Sequence, residues 1–116
     1  MNTSGAQAET LAAKFLQQQG LKLLQQNYRC RFGEIDLILQ DGDALVFAEV
    51  RLRSRGDFGG AASSINAAKQ AKLVRAAQHY LATLAHIPPC RFDAVLLQAA
   101  DGSGIEWVRD AFGGGT

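Results

Sequence analysis

The sequence contains few of the features that mark a disulfide-rich, zinc-binding or membrane protein. Its two cysteines, Cys30 and Cys90, form neither a disulfide framework nor a zinc-ligand pattern, so we expect two reduced thiols. No apolar run approaches the ~20 residues of a membrane span. The amphipathic N-terminus carries Glu9 and lacks the apolar core of a signal peptide. We therefore predict a cytoplasmic protein that makes no contact with membranes.

The sequence also has no large excess of positive or negative charge. The whole chain has 12 Lys and Arg residues and 11 Asp and Glu residues, so its formal net charge is +1 and it is not a polycation. The basic residues are nevertheless concentrated in residues 51–75, which contain a single acid, Asp57. Such a segment suits a phosphate backbone, although a solvated helix face beside a basic loop has the same composition. The basic residues are Arg51, Arg53, Arg55, Lys69, Lys72 and Arg75.

Length and composition indicate one compact domain. A chain of 116 residues that is 47% hydrophobic and 20% charged is ordinary for a globular protein with its own core. No internal repeat or interdomain linker interrupts it. We assign residues 1–112 to a single domain and the glycine-rich residues 113–116 to a disordered tail.

Hydrophobic periodicity predicts an α/β domain with the element order α-β-β-β-α-β-β. A hairpin signal, Asp41-Gly42, separates the second strand from the third. The expected fold is a central mixed sheet flanked by helices, in which the third strand crosses over through the second helix to the fourth. The predicted helices span residues 5–19 and 66–85, the predicted strands span 21–29, 33–40, 45–52, 91–99 and 105–109, and residues 53–64 are predicted to form a mobile basic loop.

Two carboxylates, Asp36 and Glu49, lie inside apolar strand segments. A charged group in such surroundings needs a partner. If the hairpin pairs the two strands, the carboxylates lie side by side and repel each other unless a cation lies between them. Mg²⁺ accepts one or two carboxylates together with waters and a substrate phosphate. The pattern therefore predicts a metal site at Asp36 and Glu49, with the backbone carbonyl of Val50 as a third ligand.

A basic residue, Arg51, follows Glu49 by two positions and shares its face of the strand. A guanidinium there is able to clamp a phosphate and stabilise transition-state charge. It cannot act as a base, because arginine does not lose its proton. Arg51 or Arg53 is also able to neutralise Asp36 and Glu49 directly, and this alternative would make them structural carboxylates of the sheet.

Two further polar side chains lie on the apolar faces of the predicted helices. Glu9 is either a further metal or water ligand, or a first-turn glutamate favoured by the helix dipole. Gln70 either binds a phosphate or the attacking water, or hydrogen-bonds the backbone where its helix begins. The predicted contacts to nucleic-acid phosphates are Arg53, Arg55, Lys69 and Lys72.

Six stretches form one ordered pattern along the chain: Gly5 to Gly20, Asn27-Tyr28-Arg29, Gly33-Glu34-Ile35-Asp36-Leu37-Ile38, Val46 to Arg53, Lys69-Gln70 and Arg91-Phe92-Asp93-Ala94-Val95. In these stretches, which run through almost the whole chain, the sequence resembles the YraN-like family of small bacterial proteins. That family in turn resembles archaeal Holliday-junction resolvases and the PD-(D/E)xK nuclease superfamily.

The resemblance implies a restriction-endonuclease-like fold, a site that uses Mg²⁺ or Mn²⁺, and structured DNA as the nucleic-acid partner. It places Asp36 and Glu49 at metal-ligand positions and Glu9 at the helix glutamate of the resolvases. Arg51 stands at the lysine position of the superfamily motif, and Gln70 lies in the helix region that follows it. Resolvases of similar build act as dimers, so the resemblance also implies a homodimer.

Three functions are compatible with these residues. The leading hypothesis is a nuclease-like protein that binds nucleic acid and cleaves phosphodiesters of structured DNA with a divalent metal. The second is a catalytically inactive nucleic-acid-binding module, because Arg51 replaces the motif lysine. The third is an adaptor that binds a protein partner through the same face. Metal-dependent cleavage separates the first from the second, and a steep salt dependence of binding separates both from the third.

Overall fold

A five-stranded mixed sheet with one helix on each face forms the fold in the computed structural model, which describes residues 3–52, 65–98 and 104–112. The element order predicted from the sequence is confirmed. The predicted loop 53–64 and tail 113–116 lie outside the described residues. The elements are α1 (Thr3–Gln18), β1 (Lys22–Cys30), β2 (Gly33–Asp41), β3 (Ala44–Leu52), α2 (Ala67–Leu81), β4 (Cys90–Leu97) and β5 (Glu106–Val108).

The strands lie side by side in sequence order, β1-β2-β3-β4-β5. The first three form an antiparallel meander, β3 and β4 are parallel, and β4 and β5 are antiparallel. The predicted crossover is confirmed, since α2 connects the parallel pair. The predicted hairpin is also confirmed: Asp41 pairs with Ala44, and Gly42 adopts a φ of +60°, a left-handed conformation that glycine tolerates without steric cost.

Alternation of side chains along the strands divides the core into two layers. Val46 of β3 packs with Leu16 of α1, whereas the neighbouring Phe47 packs with Leu73 of α2. All four side chains are buried. The two helices therefore cover opposite faces of the sheet, and side chains from both can meet only where the sheet ends or its strands separate.

The bounds of the observed helices differ from the predicted bounds mainly at one end of each helix. α2 ends at Leu81, whereas the predicted helix continues to residue 85. The next residues form a turn in which the Leu84 N–H donates to a carbonyl three residues earlier, so Leu84 packs on the core without being helical. α1 begins at Thr3, which places Glu9 in its second turn. No helix in the three described ranges is long and apolar enough to cross a membrane.

A buried aspartate fixes the last strand to the sheet. Asp93 of β4 is 0% exposed and accepts hydrogen bonds from Arg91 Nε at 3.0 and 3.2 Å, from Trp107 Nε1 at 2.9 Å and from the Asp110 backbone N–H at 2.9 Å. Arg91 also lies 2.9 Å from Asp41 at the hairpin end of β2. The network connects β2, β4 and β5 around one fully satisfied buried charge.

Asp93→Ala is expected to lower the free energy of unfolding by about 3–5 kcal/mol, because the Arg91 guanidinium and the Trp107 indole lose their buried partner. Urea unfolding at neutral pH measures the change. Asp43→Ala is the control, since Asp43 is an exposed aspartate at the β2–β3 turn and its loss should change stability by less than about 0.5 kcal/mol. A loss below about 1 kcal/mol for Asp93→Ala would contradict this role.

Candidate metal and nucleic-acid site

The regular pairing of the sheet is interrupted at Asp36. The β2–β3 ladder ends at Leu37 and Ala48. Ile35 packs with the core layer under α2 and Leu37 with the layer under α1, although strict alternation would place both on one face. Opposite this point in β1, Asn27 has a φ of +53°, a conformation that asparagine tolerates better than most residues. The chain therefore twists at Asp36, and β2 separates from β3.

The Asp36 side chain bridges the gap that this separation leaves. Its Oδ2 atom accepts a hydrogen bond of 2.9 Å from the backbone N–H of Val50, which is beyond the end of the β2–β3 ladder. Asp36 is 7% exposed and Glu49, the residue before Val50, is 4% exposed. The predicted proximity of the two carboxylates is thus present in the structure, with Asp36 held in place by the backbone of β3.

Asp36 contacts a carboxylate on each of two other elements, Glu9 of α1 and Glu49 of β3. Burial, followed by hydrogen bonding and charge repulsion from Asp36, raises the pKa of Glu49 to about 8, although Lys69 opposes the rise. Burial and the negative charges of Asp36 and Glu34 raise the pKa of Glu9 to about 7, while a hydrogen bond from Asn27 opposes it. Bringing Glu9, Asp36 and Glu49 together is therefore electrostatically unfavourable without a compensating cation.

A cavity of about 370 Å³ opens beside these carboxylates, between the β1–β2 turn and the start of α2. Asn66 caps α2, because its side-chain oxygen accepts the Lys69 N–H at 2.9 Å. The positive end of the α2 dipole consequently faces the same cavity and favours a bound anion. The described lining consists of Gly33, Glu34, Asp36, Glu49, Asn66, Ala68, Lys69, Lys72 and Leu73.

Lys69 is the cation that the structure brings to Glu49. Its Nζ atom lies 3.3 Å from Glu49 Oε2. That oxygen is buried and, among the described residues, accepts no hydrogen bond of good geometry. The sequence predicted Lys69 only as a phosphate contact. Its pairing with Glu49 was missed, although a lysine in the first turn of the crossover helix was a usable signal.

The remaining predicted site residues are Gln70, Glu9, Arg51, Arg53 and Arg55. Gln70 donates its amide to the Ile65 carbonyl at 2.8 Å, so its alternative role at the start of the helix is confirmed. The first-turn interpretation of Glu9 is wrong, because Glu9 lies in the second turn of α1 and contacts Asp36. Arg51 is half-buried and stands in register with Leu96 of β4. Arg53 and Arg55 lie outside the described residues.

Asn27 is a further residue that the sequence analysis did not single out. It contacts Glu9 by a side-chain hydrogen bond and occupies the left-handed conformation opposite Asp36. An asparagine within a strand pattern is a weak signal of such a conformation. Asn27 therefore has two roles in the structure, since it shapes the break in the sheet and partners one of the three carboxylates.

The donor atoms suit a hard divalent cation held by two carboxylates. Asp36 and Glu49 offer only oxygen atoms, which is the ligand set that Mg²⁺ and Mn²⁺ prefer, and the buried Glu49 Oε2 lacks a good hydrogen bond within the described chain. No group of three or more His, Cys, Asp or Glu side chains in the described ranges is arranged to hold a metal ion. Such a site would therefore need waters, a phosphate or a backbone carbonyl to complete its coordination, and the Val50 carbonyl stays a prediction.

The raised pKa values predict that stability falls as pH increases. Between about pH 4.5 and 8 the folded protein binds more protons at Glu49 than the unfolded chain, so the free energy of unfolding decreases across this range. Glu49→Gln is expected to flatten that decrease and to stabilise the metal-free protein at pH 8 by on the order of 1–3 kcal/mol.

Thermal unfolding in EDTA at several pH values between 5 and 8 measures this effect. The range lies between the ordinary pKa of a glutamate and the raised pKa of Glu49. Asp43→Asn, at the exposed β2–β3 turn, is the control and should leave the pH profile of the wild type unchanged. A wild-type profile that rises towards pH 8, or an identical profile for Glu49→Gln, would show that the carboxylates do not repel one another as the geometry indicates.

Comparison with other proteins identifies the family of this chain. Residues 8–97 match the model of the uncharacterised protein family UPF0102. A UPF0102 protein of Nitrosomonas europaea is 60% identical over 93% of this chain and 92% of its own length. UPF0102 proteins of Methylobacillus flagellatus and Psychromonas ingrahamii are 54% and 51% identical, over 97% and 96% of this chain and 98% and 90% of their own lengths. The YraN-like family expected from the sequence motifs is thus confirmed, and the chain belongs to family UPF0102.

Proposed function

We propose that this UPF0102 protein is a nuclease-like protein that binds nucleic acid and cleaves phosphodiesters of structured DNA with Mg²⁺ or Mn²⁺. One observation supports this proposal above the others. The carboxylates of Asp36 and Glu49 line the same cavity as Lys69 and Lys72, and Glu9 contacts Asp36 from α1. Acidic groups for a metal and basic groups for a phosphate thus adjoin one another, as metal-dependent phosphodiester cleavage requires.

Each side chain has a role that follows from its surroundings. Asp36 is fixed by the Val50 N–H, so its carboxylate keeps its orientation beside Glu49 and is preorganised as a metal ligand. Asp36 and Glu49 would hold a divalent cation, which would supply an activated water and neutralise the scissile phosphate. Without a bound metal the pKa of Glu9 is raised to about 7, and a divalent cation beside Asp36 would lower it and leave Glu9 a carboxylate able to hold a water ligand.

The resemblance to Holliday-junction resolvases and PD-(D/E)xK nucleases adds support. The element order α-β-β-β-α-β-β and the mixed sheet agree with the restriction-endonuclease-like fold that the resemblance implies. The two metal-ligand positions stand on adjacent strands of one hairpin, and Glu9 approaches them from α1. Because a fold alone does not determine function, the proposal depends on this local arrangement.

A non-catalytic nucleic-acid-binding module is the second candidate, and Arg51 favours it. Arginine at the motif lysine position binds a phosphate but cannot accept a proton. Lys69 favours the catalytic candidate, since it places a lysine ammonium group 3.3 Å from Glu49 from a different element. The two candidates share the binding of nucleic acid and differ only in whether a bond is broken.

The cleavage assay uses a four-way junction, a flap and a single-stranded DNA with Mn²⁺. The wild type is expected to cleave at least one substrate, and Glu49→Gln and Asp36→Asn are each expected to reduce the rate by about 100-fold or more, because each removes a metal ligand. Denaturing gel electrophoresis of labelled strands measures the rate. Asp43→Asn, with the same change of charge outside the site, should cleave like the wild type.

Two outcomes would contradict the catalytic proposal in different ways. Absence of cleavage by the wild type together with strong cleavage by Arg51→Lys would assign this chain to the second candidate. Cleavage that persists unchanged in Glu49→Gln would show that the bond is broken elsewhere. Stabilisation of the wild type by Mn²⁺ in thermal unfolding, absent in Glu49→Gln, reports metal binding independently of cleavage.

Nucleic-acid binding itself is tested by salt dependence. Lys72→Ala is expected to weaken binding of duplex DNA and to reduce the slope of log K against log salt by about 0.9, because one phosphate contact is lost. Lys14→Ala is the matched control, since Lys14 is an exposed lysine of α1 on the opposite face of the sheet. Equal effects of the two substitutions would show that net charge, and not this surface, governs binding.

A further inference from the structure

We propose that nucleic acid enters this site as an unpaired strand, with a base stacked on the aromatic residues at the β1–β2 turn. The inference rests on the proposed function and specifies its substrate class, which is single-stranded or locally melted nucleic acid. The depth of the carboxylates, the dimensions of the cavity, and the aromatic and basic side chains at its rim support it.

The acidic groups are almost completely buried, which favours access by a flexible strand over access by an intact duplex. Asp36 and Glu49 are 7% and 4% exposed, so a phosphate that reaches them must descend into the cavity. Duplex DNA is stiff, with a persistence length of about 50 nm, and bending or kinking it costs free energy. A single strand is flexible and is able to turn one phosphate inward while its neighbours stay at the surface.

The cavity has room for about one nucleotide. Its volume of about 370 Å³ is at the lower end of the range for sites that hold one small ligand. The β1–β2 turn forms one wall and α2 the other, and a Cβ placed on Gly33 would be in van der Waals contact with Lys72. The turn and the helix thus limit the width of the opening, which suits one strand better than two.

Aromatic side chains flank the cavity at the same turn. Phe32, next to the wall residue Gly33, packs edge-to-face with His79 of α2 at 6.0 Å between ring centroids. His79 also hydrogen-bonds the Tyr28 hydroxyl. The Arg31 guanidinium lies 4.8 Å from the centre of the Phe32 ring. Flat aromatic and guanidinium groups are the surfaces on which unpaired bases stack.

Basic side chains continue from the cavity along α2. Lys72, Arg75 and His79 are exposed and follow one another at helical spacing on one face. The stripe begins at the cavity wall and ends beside Phe32. A strand that leaves the carboxylates therefore has cations for its phosphates and aromatic groups for its bases on the same side, as in proteins that bind single strands.

The test compares one fluorescein-labelled oligonucleotide as a single strand, as a full duplex, and as a duplex with a single-stranded tail. Fluorescence anisotropy with Ca²⁺ at one salt concentration measures the dissociation constants. We expect the single strand and the tailed duplex to bind roughly tenfold more tightly than the full duplex. Phe32→Leu should weaken binding of the single strand roughly tenfold and leave the full duplex unchanged, and Phe32→Tyr should restore the wild-type preference.

Substitution of Arg109 is the matched control for substitution of Arg31. Arg109 forms the same kind of contact with Trp107, at 4.2 Å from the ring centre, and is far from the cavity lining. Arg31→Ala should weaken binding of the single strand, whereas Arg109→Ala should not, although both remove one charge and one cation–π contact. Circular dichroism spectra and melting temperatures verify that each variant is folded.

The outcomes distinguish this inference from the function on which it rests. Equal affinity for the full duplex and the single strand, with the salt dependence through Lys72 intact, overturns the inference and leaves the proposed function standing. An equal effect of Phe32→Leu on both forms also overturns it. If no oligonucleotide binds in any form, the inference and the proposed function are both wrong.

Discussion

The site depends on a single hydrogen bond, in which the Asp36 carboxylate accepts the N–H of Val50. Strands β2 and β3 pair regularly up to Leu37 and Ala48 and then separate. A buried backbone N–H without a partner at this point would be costly, and the Asp36 side chain removes that cost. The same bond orients a carboxylate towards Glu49, so the group that completes the sheet also completes the acidic site.

Separation of the two strands also explains why four elements contribute to one site. Within the paired region the sheet divides the core, and α1 and α2 contact different faces. Where β2 leaves β3, Glu9 from α1 reaches Asp36 while Lys69 from α2 reaches Glu49. The arrangement collects negative charge at the expense of stability, which is typical of sites that bind a cation or transfer protons.

Much of this architecture is predictable from the sequence, because it follows from local patterns. The Asp41-Gly42 turn and the continuous apolar runs on either side of it specify the hairpin, and the hairpin is sufficient to bring Asp36 near Glu49. The contact between Lys69 and Glu49 depends on how α2 packs after the crossover, which periodicity does not specify. The role of Asn27 depends on a single dihedral angle, and no spacing rule reports it.

The end of α2 was misplaced for a related reason. Apolar residues continue at helical spacing to Leu84, but a turn with tighter hydrogen bonds replaces the last part of the helix. Burial depends on where a side chain lies and not on the hydrogen-bond pattern of its backbone. The stripe of apolar residues therefore continues beyond the end of the helix. The partners of Asp93 were likewise only partly predictable. Arg91 is two positions away along the chain, whereas Trp107 and Asp110 are distant.

The Asp41–Arg91–Asp93 network has a consequence for the dynamics of the whole domain. It joins β2, β4 and β5 by side-chain contacts, whereas at the site β2 and β3 have already separated and like charges repel. Local unfolding, as amide hydrogen exchange detects it, should therefore begin at the site and reach the hairpin end last. The domain thus concentrates the contacts that join its strands at the hairpin end and its repelling charges at the site.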